Sequence, residues 1–291
     1  MSRFILALVL GVILPVAATW AGNSPAVAEE LDAEESYVGD AGTHGKGTAT
    51  SIDENCADVK FVVSPQLSKN FLLRIGGEWQ RFSFGVPATA PVPRVLQQVS
   101  AVIGGDYQLG DRWLVRAEVQ PGVYGDFEGI TGRDVDAPLV LGGAYLADAD
   151  LQWFLGLRVD VRSEYPVLPA AGVRWKFSDQ WTLDFQLPKP RLEYDLTDRW
   201  QLYLGGDIEA GTFRIGDHFG SDHGQPKFNG AMVDYLELRV GPGLSWKITP
   251  MLTLEAEAGL MPYRDFDFFH AGADLRSHNA PYGQLVCHGR F

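Results

Sequence analysis

From Ala57 onward, apolar and polar side chains alternate along the chain, the period-two pattern of a β-strand with two unlike faces. In Trp113 to Tyr124, Trp113, Val115, Ala117, Val119 and Val123 share one face, and Arg116, Glu118, Gln120 and Tyr124 share the other. Leu151 to Arg162, Val233 to Ile248 and Met251 to Leu260 repeat the arrangement. Each run lasts about ten residues, the length a tilted strand needs to cross lipid.

The runs are punctuated by one recurring device: an apolar residue, a short polar turn, then a bulky apolar residue. It occurs at Leu67 to Phe71, Leu109 to Trp113, Leu146 to Leu151, Phe177 to Trp181, Leu196 to Trp200 and Ile248 to Leu252. Ser, Asp, Asn, Gly and Pro supply the turn chemistry of tight hairpins. Between these turns lie longer, Gly- and Asp-rich segments at Gly85 to Arg94, Gly125 to Ala137, Gly216 to Gly230 and Tyr263 to Pro281. Short turns alternating with long loops mark an all-β, antiparallel, up-and-down transmembrane barrel. The pattern predicts about twelve strands, within about ten to fourteen, because bacterial single-chain barrels have an even number. Gly45 to Ile52 is a further, weakly marked strand.

The domain plan follows. Arg3, the apolar run Phe4 to Ala18 and the small residues at Ala26 to Ala28 predict a cleaved signal peptide over residues 1–28. Residues 29–56 are acidic and poor in large apolar side chains, which predicts a flexible segment. Residues 57–291 form the barrel. The formal net charge of −13 excludes nucleic acid as a natural partner, since phosphate binding needs clustered Lys and Arg. Outer-membrane lipids and the barrel-assembly machinery are the expected partners, and the cell outer membrane is the expected location.

With its export signal, its turns and the terminal Gly289-Arg290-Phe291, the chain resembles Gram-negative outer-membrane β-barrels. Leu187 to Tyr194, Tyr203 to Glu209 and Ala280 to Leu285 resemble a family of such barrels whose function is not defined. The resemblance implies location and fold and supplies no catalytic residues. It casts Phe291 as the assembly signal, with Cys287-His288 an unusual pair for a last strand.

Candidate chemistry lies on the inward faces. Arg74, Glu78, Arg116, Glu118, Arg158, Asp160, Asp184, Arg191, Glu193, Asp195, Asp207, Glu209, Arg214, Glu237, Arg239, Glu255 and Glu257 are expected to line the lumen. They could set the selectivity of a pore, or pair into a network that fills it. Phe71, Trp113, Trp181 and Trp200, next to the short turns, are expected to form a membrane girdle. Asp217, His218, Asp222 and His223, and likewise His270, Asp274 and His278, are metal-ligand types on irregular segments, which favours solvated loops. No cofactor is expected. Ser245 and His288 would be needed for a lipid-modifying enzyme, and nothing in the sequence brings them together. A non-enzymatic barrel passing small solutes or ions is therefore the leading expectation, ahead of a structural or surface-interaction barrel with a blocked lumen. Cys56 and Cys287 raise the question of a disulfide between first and last strands.

Overall fold

The computed structural model describes residues 27–45, 50–88 and 90–291. They form one closed antiparallel barrel of fourteen strands. In chain order these are β1 (Val27–Gly45), β2 (Ser51–Ser68), β3 (Phe71–Gly85), β4 (Val95–Leu109), β5 (Trp113–Val119 and Gly122–Gly125), β6 (Val135–Asp136 and Leu139–Leu146) and β7 (Leu151–Val159). They continue as β8 (Val167–Lys176), β9 (Trp181–Phe185), β10 (Arg191–Asp195), β11 (Trp200–Arg214), β12 (Met232–Thr249), β13 (Leu252–Phe268) and β14 (Ala273–Ser277 and Ala280–Arg290). Pro121 and Pro138 break β5 and β6 because proline cannot donate to the ladder. In β14 the break falls at Asn279, whose φ of 59° is left-handed.

Each strand pairs with the next, and β14 returns to pair with β1, from Glu30 opposite Arg290 to Val38 opposite Tyr282. Closure leaves no sheet edge to be satisfied in hydrocarbon. The outward parity is apolar and exposed: Phe61, Ile75, Ile103, Val115, Leu155, Leu204, Val240 and Leu254 all face away from the barrel. No described helix is long and apolar enough to cross a membrane.

Three expectations need correction. The acidic stretch expected to be flexible forms β1 and the start of β2, and the barrel's fourteen strands fall at the top of the expected range. Its inward charges sit on alternate residues: Glu30, Asp32 and Glu34 meet Arg74, Arg290 and Lys189. Of the strand expected at Gly45 to Ile52, Gly45 closes β1 and Ser51 and Ile52 open β2, while residues 46–49 lie outside the described residues. Tyr263 to Pro281 is mostly strand, since β13 runs to Phe268 and β14 begins at Ala273. The expected signal peptide lies outside the described residues except for Val27 and Ala28, which open β1.

The wall is not a uniform cylinder. β9 and β10 are only five residues long. Above them β8 pairs only with β7, and Arg214 at the end of β11 pairs directly with Gly125 of β5. The segment after β7 bridges this notch, with Ser163 Oγ and the Glu164 N–H both donating to Asp234 at 2.9 Å. A narrow cleft of about 50 Å³ remains beneath it, lined by Arg158, Tyr165, Leu168, Thr212 and Leu236.

β1 also separates the cysteines. Cys56 stands opposite Ser36 and Cys287 opposite Ala33. Two strand spacings put them about 10 Å apart laterally, beyond the reach of a disulfide. Both are free thiols.

Candidate functional site

The inward faces divide the interior into two tiers. Near the long loops the filling is aromatic: Phe82, Phe84, Phe213, Tyr235, Phe266 and Phe268 cluster with Phe219 and Phe228 from the β11–β12 connection. Phe82 and Tyr235 have ring centroids 4.7 Å apart, and Phe84 meets Phe266 edge-on at 4.9 Å. The loops fold into the mouth because these rings have nowhere else to leave water.

Directly beneath lies a ring of charge. Arg239 Nε and Arg264 Nε each lie 2.6 Å from a Glu237 oxygen, and the same two arginines reach Glu54 at 3.3 and 2.8 Å. All four side chains are fully buried. The Tyr235 hydroxyl donates to Glu54 at 2.5 Å and ties the ring to the aromatic tier. β2, β12 and β13 supply the members, so the ring reaches across the inner faces of β14 and β1, which lie between them. Two positive and two negative groups balance, as buried ions must.

Towards the short turns the ionic filling continues. Lys189 reaches Glu34 and Asp207, Lys60 reaches Glu78 and Glu118, and Arg74 joins Glu30 to Glu118. Arg116 holds Asp106 at 2.6 Å, Arg191 holds Glu255 at 2.8 Å, and Arg174 bridges Asp184 and Glu193.

The expected lumen residues sit as follows. Arg74, Glu78, Arg116, Glu118, Asp184, Arg191, Glu193, Asp207, Glu237, Arg239 and Glu255 belong to the pairs just named. Arg158 pairs with Asp160 at 3.3 Å beside the notch. Asp195 accepts from Gln201, Glu209 from Gln80, and Glu257 from the Tyr282 hydroxyl. Arg214 departs from its expected place. Its neighbour Phe213 points into the aromatic tier, which turns Arg214 outward to Asp134 and Asp217.

Sequence reasoning misses Glu30, Asp32, Glu34 and Glu54 because the acidic stretch has few large apolar residues to mark an outward face. It misses Arg264 inside an expected loop and Lys189 between two prolines. A charge at every second residue from Glu30 to Glu34 was the available signal.

Phe71, Trp113, Trp181 and Trp200 lie at the short-turn end on outward parity. Trp113 packs on Tyr145, Trp181 on Tyr194, and Trp200 stacks on Trp246 at 5.1 Å. Phe291 exchanges backbone hydrogen bonds with Glu29 at 2.9 and 3.0 Å, at the seam that shuts the barrel.

His288 Nδ1 lies 2.7 Å from Asp32 and Nε2 lies 3.7 Å from Glu255, so carboxylates face both ring nitrogens. The imidazole is thereby tied to β1 on one side and β13 on the other. The loop histidines have other partners: His223 Nδ1 sits 2.7 Å from the Phe219 carbonyl and His278 Nδ1 3.2 Å from that of Pro262.

No curated protein matches the chain. Among solved structures it is similar to an outer membrane channel from Pseudomonas putida F1, at 13% identity and a TM-score of 0.47, covering 93% of this chain and 97% of that one. It is also similar to the Pseudomonas putida toluene transporter TodX, at 12% identity and a TM-score of 0.41, covering 91% and 89%. The translocator domain of the autotransporter NalP from Neisseria meningitidis is 12% identical, with a TM-score of 0.37 and coverage of 92% and 90%. A family model described as Domain of unknown function (DUF6268) matches residues 58–273. That stretch runs from within β2 to the start of β14 and takes in most of the paired charges, and the chain belongs to this family.

Proposed function

We propose that the barrel allows passive, cation-preferring passage of small solutes or ions across the outer membrane and rests in a shut state. The observation that carries this reading is the column of inward charge below the ring, in which carboxylates outnumber cationic side chains. Acidic linings favour cations in a pore. In a path that serves only to fill space, apolar packing would be no less stable than these pairs. The four-charge ring is the resting barrier. The aromatic girdle at the short turns sets the barrel's depth, residues 1–28 direct export, and Phe291 presents the last strand to the assembly machinery.

Planar-bilayer recording of the refolded protein tests the reading. Loosening the ring with Glu54→Gln and Arg264→Gln together should raise the open probability, with a reversal potential shifted towards that of potassium in a KCl gradient. An anion-selective current sinks it. The aromatic cluster that seals the mouth favours a second reading, a structural barrel with a blocked lumen. Silence of both the natural protein and the ring variant selects that one.

A further inference from the structure

Lys189 stands in the connection between β9 and β10 and sends its ammonium into the lumen. Its Nζ lies 2.6 Å from Glu34 Oε2 on β1 and 3.0 Å from Asp207 Oδ2 on β11. Glu209 completes the surroundings, and the three carboxylates offer oxygens within 4.8 Å of one another. The other contacts are few. Gln80 donates to Glu209 at 2.9 Å, Gln284 to Asp207 at 3.3 Å, and Arg239, already engaged in the ring, lies 3.5 Å from Glu34.

Asp207 is only 3% exposed, and its Oδ1 is buried without any hydrogen-bond partner. The site therefore keeps unused acceptor capacity after Lys189 has bound. The cation's shape also matters. A lysine ammonium is a compact point charge with rotatable donors, whereas the arginines elsewhere in the interior are planar forks. A pocket that accepts the first is fitted to small, round cations.

We propose that Glu34, Asp207 and Glu209 form a cation-binding site within the lumen, that Lys189 is its tethered occupant, and that the exchangeable ligand is the primary ammonium group of a small solute. The assignment deepens the cation-preferring reading above and rests on it for its physiological meaning, although the site can be tested without any current. A free ammonium entering the lumen competes with Lys189 for the same carboxylates. When the tether lets go, the β9–β10 connection loses its hold on β1 across the barrel.

Chemical rescue of the full-length, refolded protein tests this. Lys189→Ala should lower the melting temperature, and ethylammonium chloride should restore it by several degrees. Tetramethylammonium chloride at equal ionic strength should not, because it has no N–H to donate. The emptied pocket should also bind Mn²⁺, seen by electron paramagnetic resonance as one bound ion per barrel that the natural protein lacks. Adding Glu209→Gln should remove both effects. If Lys189→Ala does not refold, Lys189→Met keeps the side-chain volume and retains the Mn²⁺ readout. A Lys189 variant indifferent to ethylammonium and to Mn²⁺ alike overturns the site. A barrel that passes both tests yet carries no current keeps the site and removes the passage reading, while a cation-selective current without rescue does the reverse.

Discussion

The two tiers of the interior are built from the same strands yet held by different forces. β12 places Tyr235 among aromatic rings and, at the next two inward positions, Glu237 and Arg239 in the ion ring. β3 does likewise, with Phe82 and Phe84 above and Arg74 and Glu78 below. Rings in contact are stabilised by the area they withdraw from water and by close packing, so what they cannot lose is volume. Buried ions gain little net energy from one another but suffer heavily when one is left alone, so what they cannot lose is balance. A barrel plugged by rings should resist opening as a unit, whereas one crossed by ion pairs can exchange partners.

The sharpest break in this comparison comes from Phe82→Ala. Phe82 is completely buried and touches Tyr235, Phe84 and Phe213. Its truncation should cost about 4 kcal/mol, read as a lower urea midpoint with unchanged slope. A cost below about 1 kcal/mol means the cavity collapses and the tier is loosely filled.

Next comes Glu237→Gln, which leaves Glu54 as the one carboxylate that Arg239 and Arg264 share, and should cost about 3 kcal/mol in the same titration. Replacing both Glu237 and Arg239, by Leu and Met, removes one charge of each sign and should bring stability back to within about 1 kcal/mol of the natural protein. Equal losses in the single and double variants disprove the claim that balance governs the ring.

The smallest effect belongs to the long-loop rim, where Asp134 accepts from the Thr131 N–H at 2.6 Å, the Thr131 hydroxyl at 2.8 Å and Arg214 at 3.2 Å. Burial by itself raises this carboxyl, but the hydrogen bonds and the Arg214 charge outweigh it and hold it below the usual carboxylate range. A depressed carboxyl stabilises the fold above its unfolded value of about 4 and loses that contribution as pH falls through the lower folded value. Hydrogen exchange over residues 126–134 should therefore quicken below about pH 4. Thr131→Ala should cost about 1 kcal/mol at neutral pH.

The outward faces explain how much of this could be read from sequence. On β5, β7, β12 and β13 the lipid-facing residues are bulky and apolar, and period-two alternation stands out. β1 hides because its outward face carries Glu29 and Glu35, the latter bonded to Asn55 of β2 at 2.6 Å. Those charges cancel the contrast between faces even though the inward half alternates cleanly. The upper part of β13 hides for a similar reason, since Asp265 and Asp267 occupy outward positions near the rim. Inward candidates follow from parity alone, but their partners do not. That Arg264 meets Glu54, or Lys189 meets Glu34, depends on which walls face each other after closure, and no local pattern encodes it.

The hydrogen bonds between Glu29 and Phe291 have a consequence for biogenesis. The residues that seal the cylinder lie at the start of β1 and just past the end of β14, so no fragment that lacks either strand can be a sealed one. Every intermediate in which β1 and β14 have not met carries two raw β-edges, each a template for aggregation. The closed tertiary structure therefore begins only where the first and last strands are held together.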